Sequence, residues 1–183
     1  MPSPLENLFG SLSGEWQLNL ETQVPRNDLY KSRIASSRPT LGFFLLLICS
    51  AVIATLGLIS NSTAVVIGAM IVAPLMDPIL SLAFGLAISD NRLVKRSAIT
   101  VIIGVLTVIS TSTLFGWILD ASEVNREIYS RTAPNLIDLG IAVAAAIAGS
   151  FTLTRDRLSN SIAGVAIAVA LVPPLCVCGI GLS

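Results

Sequence analysis

An uninterrupted apolar run, Leu41–Ile59, constrains this chain more than any other feature. Its nineteen residues include no charged side chain. An α-helix of about 20 residues crosses the roughly 30 Å of a bilayer's hydrocarbon core, so the run predicts a membrane-spanning helix. The composition agrees, because 54% of the residues are hydrophobic and only 12% are charged. A mean hydropathy of +0.83 lies far outside the range of soluble globular domains.

Four further apolar stretches follow the first, and two of them are interrupted by proline. The predicted spans cover residues 41–59, 64–88 (broken), 97–119, 135–153 and 161–183 (broken). The third is rich in large aliphatic side chains and suits a lipid-facing helix, whereas the small residues of the fourth predict close packing. We therefore expect an all-α, polytopic membrane helical bundle in residues 41–183, preceded by a cytoplasmic N-terminal arm in residues 1–40. Short amphipathic helices are expected in this arm at residues 5–12, which lie outside the residues that the structure describes, and near residues 27–34.

The distribution of basic residues predicts the orientation in the membrane. The formal net charge is zero, with 11 basic and 11 acidic residues, so no strong field attracts nucleic acid. Nine of the 11 basic residues lie in the N-terminal arm, the loop between spans two and three, and the loop between spans four and five. Because Lys and Arg accumulate on the cytoplasmic side, we expect a cytoplasmic N-terminus in an inner or plasma membrane. The expected partner is the lipid bilayer.

The chain resembles itself when it is shifted by 99 residues. Asn61 then falls on Asn160 and Pro74 on Pro173, within a shared polar turn that leads into a shared small-residue half-helix. The shift moves the second predicted span onto the fifth, an offset of three spans, and because this number is odd the second copy runs through the membrane in the opposite direction. The pattern predicts an inverted-topology repeat of three spans with proline-broken second and fifth helices. By this count a sixth span follows Ser183.

The two proline breaks define a candidate transport site. Both are expected near the bilayer midplane, where backbone groups freed by proline must be covered by protein or line a wet cavity. The site is predicted between the two broken helices. Its candidate residues are Pro74, Asp77, Pro78, Pro173, Pro174, Asn61 and Asn160.

Individual side chains of this site have competing interpretations. Asp77 is the acidic group that lies well inside a predicted span, and an ionisable residue at such depth is a candidate for proton or cation handling. It is also suited to cap the half-helix that follows the break, and the two roles are compatible. Asn61 and Asn160 are most simply N-caps of the two broken helices.

The sequence offers little for catalysis. It contains no histidine, and its three cysteines, Cys49, Cys176 and Cys178, lie within apolar runs, so a His/Cys metal site is not expected. We find no phosphate-binding loop or nucleophile–base pair. The chain is therefore predicted not to be an enzyme and to need no cofactor.

Three ordered motifs resemble a known family. They are NSTAVVIGAMIVAPLM at residues 61–76, RTAPNL at residues 131–136 and GVAIAVALVPPL at residues 164–175. They are similar to the bacterial and archaeal uncharacterised hydrophobic family, domain of unknown function 389, from about Arg26 to the end. The resemblance implies a polytopic membrane domain of about six spans and no particular activity. It also implies that the position of Asp77 is often not acidic, which argues against an essential carboxylate.

The favoured function is a membrane transporter or channel-like protein for an unidentified ion or small solute, working as a homo-oligomer. The alternative is a non-transporting accessory or assembly subunit of a larger membrane complex. A lipid-handling protein or membrane enzyme would require converging polar groups at an interface, which only Asn135, Asp138 and the Arg126/Arg131 loop offer.

Overall fold

The protein is helical wherever its structure is described. The computed structural model describes residues 24–120, 125–133, 135–153 and 163–183, and this part of the chain forms helices without strands. In chain order the helices are α1 (Arg26–Ser36), α2 (Leu41–Ile59), α3 (Thr63–Val72), α4 (Met76–Ala87), α5 (Asn91–Ile118), α6 (Arg126–Ser130), α7 (Leu136–Leu153) and α8 (Ala163–Ile180).

Two of the described helices, α2 and α5, are long and apolar enough to cross a membrane. A third candidate arises if α3 and α4, which are bent by 56° at the break between them, form one span. The apolar parts of α7 and α8, Leu136–Phe151 and Leu171–Ile180, are shorter. The described residues thus contain two or three candidate spans where five were predicted. The helix expected near residues 27–34 is present as α1.

Helix α2 lies at the centre of the bundle and contacts α3, α5 and α8. Its buried side chains Leu47, Ala51, Ala54 and Leu58 follow one helical face at spacings of three or four residues. They join Val66 and Met70 of α3, Val108 of α5, and Val172 and Cys176 of α8 in one cluster. The hydrophobic core therefore sits where these four helices meet, and α7 lies outside it against α8.

Helix α5 begins six residues earlier than the predicted third span. Residues 89–96 were expected to form a loop, but the carboxylate of Asp90 accepts hydrogen bonds from the backbone N–H groups of Arg92 and Leu93 and starts the helix there. The lipid-facing assignment of this span is also only half right. Its face with Gly104, Val108 and Ser112 is buried, while the opposite face is exposed.

The break predicted at Pro173–Pro174 is absent, because α8 continues from Ala163 through Ile180 with both prolines inside it. A proline removes a helical N–H donor, but its fixed φ fits a helix. Val172, Pro173 and Cys176 are fully buried against the bundle, and this packing explains why the backbone stays helical despite the lost donors. The prediction of a broken fifth helix is therefore not confirmed.

The small residues of α7 divide into a buried row and an exposed row. Ala145 and Gly149 are buried, whereas Gly140 and Ala144 are exposed. A Cβ added to Gly140 would meet no atom within 4 Å. Close packing of α7 is thus present on one of its two small-residue faces in the single chain.

The contact between α2 and α3 depends on Gly57. A Cβ at this position would lie 2.9 Å from Val66 Cγ2 and 3.0 Å from the backbone nitrogen of Val66. Because one of these atoms is backbone, a side-chain rotation cannot relieve the clash. Glycine at position 57 allows α2 and α3 to approach closely beside the turn that joins them.

We expect Gly57→Ala to destabilise the protein by about 1–3 kcal/mol, the usual range for overpacking. The matched control is Gly68→Ala in α3, where an added Cβ meets nothing within 4 Å. Since alanine favours helices by up to about 1 kcal/mol over glycine, this variant should be neutral or slightly stabilised. Thermal unfolding in detergent, followed by circular dichroism, measures both. Equal melting temperatures for Gly57→Ala and wild type would contradict the packing described here.

Candidate functional site

The break between α3 and α4 follows from the stereochemistry of Pro74. A residue that precedes proline is pushed out of the helical region, and Ala73 has φ −69° and ψ 120°. Its N–H donates to the Met70 carbonyl at 3.3 Å, which leaves the Ala69 carbonyl without a helical donor. The Ser50 hydroxyl of α2 donates to that oxygen at 2.7 Å. The Ala69 carbonyl, which the break deprives of its helical donor, is therefore satisfied within the bundle.

Helix α4 starts without a side-chain cap, since its N-cap residue is Leu75. Asp77 lies in the first turn, where the helix dipole favours a negative charge. Pro78, in the same turn, is fully buried, and a proline is tolerated there because that N–H has no helical acceptor. Asp77 is therefore not the N-cap residue of α4. Its negative charge instead lies near the N-terminal end of the helix, where the helix dipole favours it.

Arg33 of α1 is the partner of Asp77. Its Nη1 lies 3.5 Å from Asp77 Oδ1, and the side chains are 9% and 55% exposed, respectively. The Nε atom of Arg33 is buried and has no hydrogen-bond partner. Sequence reasoning missed this pair, because Arg33 was counted only as one of the arm's basic residues. The burial of Arg33 and Ser37, four positions apart, marks the face of α1 that is turned inward.

The remaining predicted residues lie at two places. Pro173 is buried and Pro174 half-buried in α8, where the neighbouring Val172 shares the core cluster with Ala73 and Leu75 of the break. Asn61 is exposed in the turn before α3, at the far end of that ten-residue helix from the break. Asn160 lies outside the described residues. The break and the α8 prolines therefore adjoin one core, whereas Asn61 is remote from it.

Asn61 does not cap α3. It has φ 53°, and its side-chain oxygen accepts the backbone N–H of Glu127 at 3.2 Å. The Asn125 side chain donates to the Ile59 carbonyl at 2.8 Å, and the Thr63 hydroxyl donates to the Glu127 carboxylate. Ser62 occupies the N-cap position without a side-chain cap bond. The turn thus fastens the segment around α6 to this end of the bundle.

A buried polar junction between α2, α5 and α8 was not predicted. The hydroxyls of Thr55 and Ser112 lie 2.7 Å apart, and Thr55 also donates to the Ala51 carbonyl at 2.7 Å. The thiol of Cys176 lies 3.9 Å from the same carbonyl oxygen. Ser112 belongs to a run of hydroxyl residues in the third predicted span, which comprises Thr107, Ser110, Thr111, Ser112 and Thr113. Ser112 and the adjacent Thr113, whose hydroxyl donates to the Gly179 carbonyl of α8 at 2.9 Å, both bond to other helices of the bundle.

Two cavities lie beside α1. One, of about 650 Å³, is bounded by α1 and the start of α5, and the other, of about 500 Å³, by α1 and the end of α4. None of the candidate residues of the transport site lines either cavity. Among the described residues, no three Cys, Asp or Glu side chains come together as metal ligands would.

Tyr30 lines both cavities and is hydrogen-bonded to Asp90. Its hydroxyl donates to Asp90 Oδ2 at 2.7 Å. This hydrogen bond lowers the pKa of Asp90, as do the backbone donors of Leu93 and Arg92, and it raises the pKa of Tyr30. At neutral pH Asp90 therefore stays ionised, and it both caps α5 and holds α1.

Comparison with known proteins gives a family and no function. Residues 70–183 match the family described as Domain of unknown function (DUF389). The chain is 36% identical over 157 residues to a protein of Methanocaldococcus jannaschii named uncharacterized protein MJ0678. The match covers 85% of this chain and 48% of the archaeal protein, so the chain spans about half the length of this curated relative. No solved structure matches. With a family match over more than half of its length and a relative this similar, the chain belongs to the DUF389 family.

Proposed function

We propose that this protein is a multi-pass transporter or channel-like protein that moves an ion or small solute past the break between α3 and α4. The observation that carries the proposal is the 56° bend at this break, which lies beside the Arg33–Asp77 pair. Helices interrupted within a membrane protein commonly form substrate sites, because their ends present dipoles and backbone groups. We infer no enzymatic activity and no cofactor.

The charge at the break favours a cation or proton over an anion. The uncapped start of α4 would attract an anion, but Asp77 already supplies a negative charge in its first turn. Arg33 is largely buried, whereas Asp77 is 55% exposed and so remains accessible. A cation or proton that neutralises Asp77 would compete with Arg33 for it. We propose that this competition couples binding to movement of α1 against α4.

Helix directions support one span for α3 and α4 together. Leu47 of α2 lies near Gly104, and Thr55 bonds Ser112, so α2 and α5 run parallel. Two consecutive long helices can cross in the same direction only if the chain returns between them. We therefore propose that α3 and α4 form a broken span rather than a re-entrant loop.

The direction of α8 supports the inverted repeat in the same way. Gly179 adjoins Ser112 and Ser183 adjoins Gly116, so α8 runs parallel to α5. It is consequently antiparallel to α3 and α4, as a second copy in inverted orientation would be. The continuous backbone of α8 means that the proposed repeat concerns direction and sequence, not a shared break.

A non-transporting accessory or assembly subunit is the second candidate. Ala73 and Leu75 at the break are only 8% and 3% exposed, so this part of the backbone is tightly covered. The α7 face with Gly140 and Ala144 is exposed in the single chain and suits a second copy or another membrane protein. If the protein is such a subunit, the bend between α3 and α4 serves only to shape the packing of the helices, and no ion or solute passes it.

Replacement of Asp77 by Asn tests the transport proposal. We expect proteoliposomes with wild-type protein to carry protons or K⁺ under an imposed K⁺ diffusion potential, and Asp77→Asn to lower the flux to near that of empty vesicles. Because Asp77 is half exposed, the lost ion pair should cost about 1 kcal/mol or less in stability. Entrapped pH- and K⁺-sensitive dyes measure the flux.

Asp28→Asn is the matched control, since Asp28 is an exposed carboxylate of α1 outside the break. It should leave the flux unchanged. Wild-type vesicles that are no more permeable than empty ones would count against transport of these ions and favour the accessory function.

Cysteine labelling tests the topology. In a Cys49→Ala/Cys176→Ala/Cys178→Ala background, we expect a membrane-impermeant maleimide to label Arg38→Cys from the cytoplasmic side and Arg126→Cys from the opposite side. Three crossings between these exposed positions require this result if α3 and α4 form one span. Ile102→Cys, on the exposed face of α5, should react from neither side. If Arg38→Cys and Arg126→Cys were labelled from the same side, α3 and α4 would form a re-entrant loop instead of a span.

A further inference from the structure

The larger cavity beside α1 is lined by basic side chains. It has a volume of about 650 Å³, within the range of about 300–1,000 Å³ common for small-molecule sites. Arg92, Lys95 and Arg96 of α5 line it together with the apolar side chains of Ile34 and Ile99. The cavity therefore combines three positive charges with an apolar wall.

None of these three cations forms an ion pair with a carboxylate in the described ranges, although Arg92 lies close enough to Asp90 for its charge to help lower the pKa of that carboxyl. The ion pairs there are Arg33–Asp77 and Arg131–Glu127. Asp90 also lines the cavity, but its two oxygens already accept the Tyr30 hydroxyl and the first N–H groups of α5. Arg92, Lys95 and Arg96 are exposed and outnumber the single negative charge of Asp90, so a net positive charge around the cavity remains available to an anion.

The cations begin a stripe along one face of α5 that turns apolar. Positions 92, 95, 96 and 99 fall on one helical face at spacings of three or four residues. Ile99, Ile102 and Leu106 continue that face and are 47%, 57% and 57% exposed. From Arg92 to Leu106 the helix rises about 21 Å, at 1.5 Å per residue. No charged residue occurs between Ser97 and Leu119.

We propose that this cavity binds the phosphodiester headgroup of an anionic phospholipid, whose acyl chain lies along the exposed face from Ile99 to Leu106. Guanidinium groups suit phosphate because their donors match its oxygens in pairs, and a lysine adds charge. Basic pockets beside transmembrane helices are typical headgroup sites. The inference is independent of the proposed transport at the break.

The apolar continuation favours a lipid over a soluble phosphate ester. A soluble anion would use the three cations alone and would gain nothing from Ile99, Ile102 or Leu106. In a phospholipid a charged headgroup is followed by hydrocarbon. On this face of α5 the cations are likewise followed by exposed apolar side chains, over a similar length. The exposed isoleucines thereby obtain an apolar neighbour.

Native mass spectrometry of the full chain in a neutral detergent tests the proposal. We expect added phosphatidylglycerol to bind with a lower Kd than phosphatidylcholine of the same acyl chains. Arg92→Gln/Lys95→Gln/Arg96→Gln should raise the Kd for phosphatidylglycerol by about tenfold or more, since each cation contributes on the order of a fewfold near anionic lipid. Phosphatidylcholine binding should not change.

The matched control is Lys31→Gln/Arg38→Gln/Arg126→Gln, which removes the same net charge at exposed positions that do not line this cavity. It should leave phosphatidylglycerol binding intact, and Arg92→Lys/Arg96→Lys should largely retain it. An equal loss in the control would show nonspecific charge attraction and overturn the site.

Ile99→Asn separates the two sources of phosphate without altering charge. It should weaken phosphatidylglycerol binding and leave any binding of glycerol 1-phosphate unchanged, and it remains informative if the triple variant fails to fold. Glycerol 1-phosphate that displaces phosphatidylglycerol at equal concentration would overturn the lipid as occupant and indicate a soluble phosphate ester.

Discussion

The hydrogen bond from the Ser50 hydroxyl to the Ala69 carbonyl makes the rest of this structure feasible. Pro74 forces Ala73 out of the helix and leaves that carbonyl without its backbone donor. In an apolar core an unpaired carbonyl costs several kcal/mol, so a break at this depth requires a donor from a neighbouring helix. Ser50, fully buried on α2, supplies it. The central position of α2 follows from this requirement together with the glycine contact at Gly57.

Glycine and small polar residues hold the remaining helices at similarly short range. A Cβ on Gly179 would lie 2.7 Å from the Ile109 carbonyl oxygen, and the Thr113 hydroxyl donates to the Gly179 carbonyl at 2.9 Å. Without a hydrophobic driving force between helices in lipid, association depends on such close packing and on interhelical hydrogen bonds. The hydrogen bond between the hydroxyls of Thr55 and Ser112 joins α2 to α5 close to this contact between α5 and α8. The α2–α5–α8 core is thus fixed by small and hydroxyl side chains as much as by its aliphatic ones.

Features with a local cause could be predicted from the sequence, and features that depend on a partner could not. The bounds of α2 follow from its hydropathy, and a break at Pro74 follows from proline stereochemistry. The same argument failed at Pro173, where buried packing keeps α8 helical. The start of α5 was missed because the cap by Asp90 was read as part of a loop. Of the candidate site, the position of Asp77 beside a break was predictable, but its partner Arg33 lies 44 residues away in sequence.

Helix α1 shows why that distant partner matters. Its Tyr30 reaches Asp90, beyond the end of α4, while Arg33 reaches Asp77 in the first turn of α4. Ser37, just past α1, accepts the Thr100 hydroxyl of α5 through its carbonyl at 2.8 Å. Three polar contacts therefore hold a segment whose apolar face is small. Arg33 is 9% exposed, and Asp77, whose side chain is 55% exposed, is its counter-ion at the surface of the bundle. The competition for Asp77 that we propose would therefore act on α1, the helix that also bounds the basic cavity.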